Sequence, residues 1–167
     1  MQEPNHNLDE PTIIQPGQSE SVDWSGFGVD WKIDGIDTGQ RFSIVHHRMA
    51  PNRLAAPLHY HHNEDEYSYV LQGTMGALLG DEVVEAGPGC WVYKPREQWH
   101  TFWNAGDTPC HIIEVISPAG FEDFFREYDQ ALGDEERILQ VCAKYSLEIR
   151  PETAPELCER FGLRNGR

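Results

Sequence analysis

The chain has 167 residues, 39% of them apolar and 25% charged, an ordinary balance for a soluble globular domain. A chain of this length buries roughly two-thirds of the surface its unfolded form exposes, so it needs neither disulfides nor a structural metal merely to fold. Its 13 Lys and Arg oppose 28 Asp and Glu for a net charge of −15, a sign that repels phosphate backbones and anionic lipid and so excludes nucleic acid and membrane as expected partners.

Residues 1–20 are rich in Pro, Gln, Glu and Asn, with Ile13 and Ile14 as the one apolar pair, and read as a tail or an edge strand borrowed by a neighbour. The residues from Met1 to His6 lack the basic and apolar segments of a secretory signal, and no stretch approaches the ~20 apolar residues of a spanning helix. A cytoplasmic protein is expected. Cys90, Cys110, Cys142 and Cys158 form no Cys-x-x-Cys pair, which fits reduced thiols.

From Trp24 to Ser117 short runs rich in Val, Ile, Tyr, Phe and Trp alternate with glycine or proline, the pattern of a sandwich or barrel. Strands are expected at 27–33, 40–49, 66–72, 74–79, 82–85, 90–94, 100–103 and 111–117. After Pro118 the period changes. Phe121, Phe124, Phe125 and Tyr128 recur at helical spacing, and Ile138, Leu139, Val141 and Cys142 follow the acidic start Asp134-Glu135-Glu136. A third helix is expected near Ala154, with Pro155 in its first turn and Leu157, Cys158 and Phe161 on one face. The aromatic stripe from Phe121 to Tyr128 is read as packing against the outside or one mouth of a barrel. The expected organisation is a tail or edge strand at 1–20, a barrel at 21–118 and a helical extension at 119–167.

The informative stretch is Pro57-Leu58-His59-Tyr60-His61-His62-Asn63-Glu64-Asp65-Glu66. His59 and His61 are two apart, so strand geometry sends both imidazoles to one face. Glu66 follows a short polar loop and can return to complete a set of two nitrogens and one oxygen, while His100 can add a third nitrogen from a facing strand.

The string His59-x-His61-x4-Glu66-x6-Gly73, followed by Gly89-x5-Pro95-x4-His100-x3-Asn104, resembles the two motifs of the cupins in the right order. The resemblance implies a mainly β fold, a cupin barrel (double-stranded β-helix or jelly roll) with a C-terminal helical tail. It also implies one divalent metal in the lumen, bound by His59, His61, Glu66 and His100, and association into a homodimer. Exposed barrel edges and the segment from Thr12 to Gln15 offer that dimer a route by strand exchange. Small single-domain cupins of this look include relatives of the quercetin dioxygenases. One position departs from the pattern: Glu97 stands where the second motif usually has glycine, which implies a different turn or a side chain with a task, and it is read as an exposed acid.

Parity assigns the lumen. Phe102 and Asn104 share the face of His100, and Ser68 and Val70 that of Glu66, so these four are the expected substrate wall, while Thr101, Trp103, Tyr67, Tyr69 and Leu71 face outward. His62 should point away from the metal, and either His46 or His47 must face inward. His6 and His111 have no companion residues, and Glu64 and Asp65 are expected to stay solvated.

Three imidazoles and a carboxylate suit a transition metal such as Fe, Mn, Ni, Co or Zn. The expected function is a metal-dependent oxygenase on a small organic substrate, with Glu66 as ligand and general base. The alternatives are a non-redox isomerase, decarboxylase or hydrolase, and a non-catalytic barrel that binds a small ligand.

Overall fold

The computed structural model describes residues 11 and 13–165, so the expectations placed on His6 and Thr12 lie outside the described residues. Where the sequence alternates apolar and polar residues the backbone extends and pairs. The strands in chain order are β1 (Ser21–Asp23), β2 (Phe27–Ile33), β3 (Ser43–Met49), β4 (Leu58–His61), β5 (Asp65–Gln72), β6 (Met75–Leu79), β7 (Glu82–Ala86), β8 (Trp91–Lys94), β9 (His100–Asn104), β10 (Cys110–Ser117) and β11 (Leu147–Arg150). Strands β1 and β11 are additions to the sequence expectation, β4 stands where strand geometry was expected for His59 and His61 but no strand range was given, and β3 starts at Ser43 rather than at 40.

One sheet runs β1-β2-β3-β10-β5-β8 and the other β11-β4-β9-β6-β7, with antiparallel pairing between named strands. Residues of both sheets share one apolar core, including Val45, Ile112 and Val70 from the first and Met75, Ala77 and Phe102 from the second. This is the expected jelly roll, built as two facing sheets that do not bond into a continuous cylinder.

Burial alternates strictly along β3 and β10, putting Ser43, Val45, His47 and Met49, and Cys110, Ile112, Glu114 and Ile116, on the inner face. Strand β9 is instead buried at every residue. Its outer face is covered by helix α3 (Ala154–Phe161), where Trp103 stacks on Phe161 with ring centroids 4.4 Å apart and joins a second core with Leu54, Leu78 and Leu157.

Helices α1 (Glu122–Ala131) and α2 (Glu135–Lys144) pack against each other and against β3 and β11 of the roll, as packing was expected of the aromatic stripe. Phe121, Phe124 and Phe125 are buried in the main core with Val141 and Cys142. The acidic start of α2 works as a cap: the Asp134 side chain accepts from Arg137 N at 3.0 Å.

The turn before β9 keeps the conformation that a glycine would favour. Glu97 has φ +61°, and its N–H donates to the carbonyl of His61 at 2.7 Å, tying the loop to β4. The turn is therefore not a different one; a side chain has been accommodated in it.

Candidate metal centre

Alternation along β4 buries His59 and His61 and turns Tyr60 and His62 outward. His62 lies 3.5 Å from Glu148 on the outside, away from the centre. Antiparallel pairing sets His59 opposite His100 on β9, and the start of β5 brings in Glu66. One ligand atom from each of His59, His61, Glu66 and His100 lies within 4.8 Å of the others, and all four residues are buried. The carboxylate is 3.6 Å from His61 Nε2 and 3.3 Å from His100 Nε2.

The fit to a metal ion rests on what these nitrogens lack. His59 Nδ1 donates to the Pro57 carbonyl at 2.8 Å and His100 Nδ1 to the Gln98 carbonyl at 3.0 Å, which fixes Nε2 of each ring as the lone-pair nitrogen. His100 Nε2 and both ring nitrogens of His61 are buried without a hydrogen-bond partner. Buried polar atoms rarely stay unpaired, and a set of convergent lone pairs is what a cation satisfies. Burial pushes His59 well below its ordinary pKa and His61 down to about 4, so both are neutral ligands at neutral pH. Burial raises Glu66, but Lys94, His61 and His100 outweigh it and hold the carboxyl well below the usual range.

A buried ion cluster underlies the ligand carboxylate, and parity reading alone did not single it out. Lys94 Nζ, 1% exposed, lies 3.0 Å from Glu66 Oε2 and 2.8 Å from Glu114 Oε2. Ser68 donates to Glu114 at 2.9 Å. Lys94 Nζ also sits 4.5 Å above the Phe102 ring. The cluster fixes the rotamer of Glu66 and shares one positive charge between two carboxylates. Burial raises Glu114 to about 7, against the pull of Lys94. The signal was present in the alternation: Lys94 has the parity of buried Val92, and Glu114 that of Ile112 and Ile116.

Two further expectations need correction. Glu64 is buried rather than solvated, with Oε2 3.7 Å from His61 Nδ1, and burial raises its pKa to about 7. His111 does have a companion: its Nδ1 is 3.0 Å from His46 Nε2, and His46 Nδ1 is 3.1 Å from Asp30. The four residues of the expected substrate wall lie in different surroundings. Phe102 lines the cavity above the ligands, whereas Ser68 is committed to Glu114 and Val70 is core. The Asn104 amide closes a turn, donating to the carbonyls of Met49, Ala50 and Thr108 and accepting from Gly106 N.

The cavity measures about 480 Å³ and ends on His59, His61 and Glu66. Its outer wall comes from the C-terminal extension, where Phe121 meets the His61 ring edge-on at 4.3 Å and Phe124, Phe125 and Tyr128 continue the surface. Packing and lining are thus the same task for that aromatic stripe.

Residues 45–116, a span that contains all four candidate ligands, match the family described as Cupin domain. Over 101 residues, 59% of this chain, the sequence is 30% identical to mannose-1-phosphate guanylyltransferase 2 of Escherichia coli O157:H7, of which it covers 21%. It is 28% identical to the tetracenomycin polyketide synthase protein TcmJ of Streptomyces glaucescens over 75 residues, covering 45% of this chain and 50% of that protein. The chain thus spans about a fifth to a half of the length of these curated relatives. In structure it resembles KdgF from Halomonas sp. with a TM-score of 0.59 at 17% identity, over 68% of this chain and 98% of that one. Residues 45–116 thus match a cupin domain, the two-sheet jelly roll agrees with that match, and the buried three-histidine, one-glutamate group is a candidate site for a divalent metal.

Proposed function

We propose that the protein is a metal-dependent oxygenase acting on a small organic substrate held in the lumen. The observation that carries this reading is the convergence of His59, His61, Glu66 and His100 within 4.8 Å at the base of an apolar cavity. A divalent ion there would supply Lewis acidity and, if octahedral, about two coordination positions open to small ligands.

The protein's own groups do the rest. Pro57 and Gln98 carbonyls orient two imidazoles, and Lys94 holds Glu66 Oε2 so that the carboxylate keeps one rotamer. Ionised Glu66 is placed to accept a proton from an acidic hydroxyl or C–H of the substrate. Phe102, Phe121 and Phe125 exclude water from the base of the cavity, where electrostatic effects are then stronger.

The test is oxygen uptake by metal-stripped, Fe²⁺-loaded and Zn²⁺-loaded protein against phenols, diketones and sugar phosphates. The first two classes follow from the oxygenase reading and from the polyketide relative, the third from the guanylyltransferase relative. Oxygen consumption with a phenol or diketone that depends on Fe²⁺ supports the reading; equal uptake by stripped and loaded protein overturns it. Turnover with Zn²⁺ in the absence of oxygen would establish Lewis-acid isomerisation or elimination instead. His61→Ala and His100→Ala should each reduce bound metal at least tenfold by elemental analysis while the chain stays folded. A homodimer is part of the proposal, since β8 is a sheet edge with Trp91 and Tyr93 exposed; a monomer mass in sedimentation overturns that part.

A further inference from the structure

Cavity walls select ligands by the groups they leave unpaired. Beyond the three ligand residues at its base, this wall is mostly aromatic and aliphatic: Trp24, Phe27, Phe102, Phe121, Phe124 and Phe125 contribute rings, and Tyr128, Glu135 and Asn165 are polar side chains on it. The cationic side chain on it, Arg53, is not available to an anion. Its guanidinium donates to the carbonyl of Ser25 at 3.2 Å, of Trp24 at 2.9 Å and of Leu54. Lys94, below the floor, is held by two carboxylates. Among the described residues that line the cavity, a sugar phosphate would find no free cation for its phosphate.

One polar group in the wall is different. His47 on β3 is 2% exposed, and its ring is stacked on Phe27 at 5.0 Å and met edge-on by Phe125 at 5.5 Å. Its Nδ1 is buried with no hydrogen-bond partner. Neither neighbouring ring can satisfy it, the Gly28 backbone beside the ring closes no hydrogen bond to Nδ1, and His47 lines the cavity, so the nitrogen is left to whatever enters there. Burial, with Lys94 nearby, pushes its pKa to about 3, so the ring is neutral at physiological pH and offers one hydrogen bond from Nδ1. A hydroxyl pairs with that nitrogen in either tautomer, because it both donates and accepts.

We propose that His47 is the polar anchor of a binding site for flat, largely apolar molecules that carry a phenolic or enolic hydroxyl: the hydroxyl bonds to Nδ1 while the surrounding rings hold the body of the molecule. The proposal deepens the preceding reading and rests on it only in taking the cavity as the ligand site. Aromatic faces favour a planar partner through offset or edge-to-face contact, and a cavity of about 480 Å³ admits a two- or three-ring molecule.

The test is calorimetric titration of metal-stripped protein, so that binding is separated from turnover. The probes are 2-naphthol, naphthalene and mannose 1-phosphate. The wild-type protein should bind 2-naphthol about tenfold more tightly than naphthalene, and mannose 1-phosphate should give no saturable heat. His47→Phe should bring 2-naphthol down to the naphthalene level without weakening naphthalene, whereas His47→Gln, which keeps a polar group, should retain part of the preference. Equal affinities in the wild type, no binding of 2-naphthol, a preference that survives in His47→Phe, or tighter binding of the sugar phosphate each overturn the proposal. The wild-type comparison decides by itself if His47→Phe does not fold. Failure here would leave the metal centre and oxygen chemistry standing, and a protein inactive toward oxygen could still show the hydroxyl preference.

Discussion

Strand β3 carries two adjacent histidines that live in different media. His46, on the outer face, sits between Asp30 and His111 in a network that Arg48 and Ser21 join at the protein surface. His47, on the inner face, lines the cavity among aromatic rings, close enough to Lys94 and Glu66 to feel their charges. The residue types are alike on both sides; solvent is what differs. Water can replace any partner lost from the outer network, so its geometry is optional. Inside, each charge has been stripped of water and depends on the one or two groups that face it, so the inner set is fixed in place and fit to position a ligand carboxylate.

That contrast can be broken most severely at Lys94. Lys94→Met should cost about 3–5 kcal/mol in chemical denaturation, because two buried carboxylates are left without their cation. If the loss is under about 1 kcal/mol, water reaches the cluster and the distinction between the faces fails.

Acid should separate the faces next. The ordinary histidine pKa is 6.5, and folding lowers it to about 3 for His47 and about 4 for His61. Between these values the unfolded chain binds protons that the folded chain refuses. Stability is thus full above pH 6.5 and falls as pH drops toward 4, by up to about 1.4 kcal/mol per pH unit for each such histidine. Glu64 and Glu114, both raised to about 7, work in the opposite sense and offset two such protons, while His59, held well below its ordinary value, adds a third to the loss. Metal-stripped protein should therefore lose melting temperature from pH 7 to pH 5, and His47→Phe should flatten that slope by close to one proton. His46→Phe should flatten it less, because Asp30 favours the charged form of that ring.

Smaller effects sharpen the outer side. Arg48→Met removes the partner of Asp30 yet should cost only about 0–1 kcal/mol by thermal or urea unfolding. A loss comparable to that of Lys94→Met would make the outer network structural. Smallest is the turn before β9, where Glu97→Gly should gain about 0.5 kcal/mol, since glycine accepts φ +61° without a Cβ clash. A destabilisation there would give the glutamate side chain a task of its own.

Much of this was legible in the chain. The period-two rule placed His59 and His61 on one face, and the alternation of β5 and β10 fixed which side chains turn inward. The same rule, applied to Lys94 and Glu114, points both inward, but parity cannot say that two inward charges meet; a lone buried charge would have been an error in the pattern, and only the pairing of β8 with β5 and of β5 with β10 makes it a cluster. Asn104 shows the converse. Its parity said nothing of its partners, and its role was set by the carbonyls of Met49, Ala50 and Thr108. Glu64 was misplaced for a related reason, since a loop residue beside acids reads as solvated until a neighbouring wall covers it.

The sequence by itself determined most of the strand pattern, the inward face of the alternating strands and the four metal-seeking side chains, because backbone geometry alternates side chains locally and these residue types carry their chemistry with them. The tertiary structure decided what surrounds them: the Lys94 cluster under Glu66, the aromatic wall lent by the C-terminal extension, and the unpaired nitrogen of His47. Those are properties of desolvation and contact between segments far apart in the chain, and no local period encodes which distant group will exclude the water.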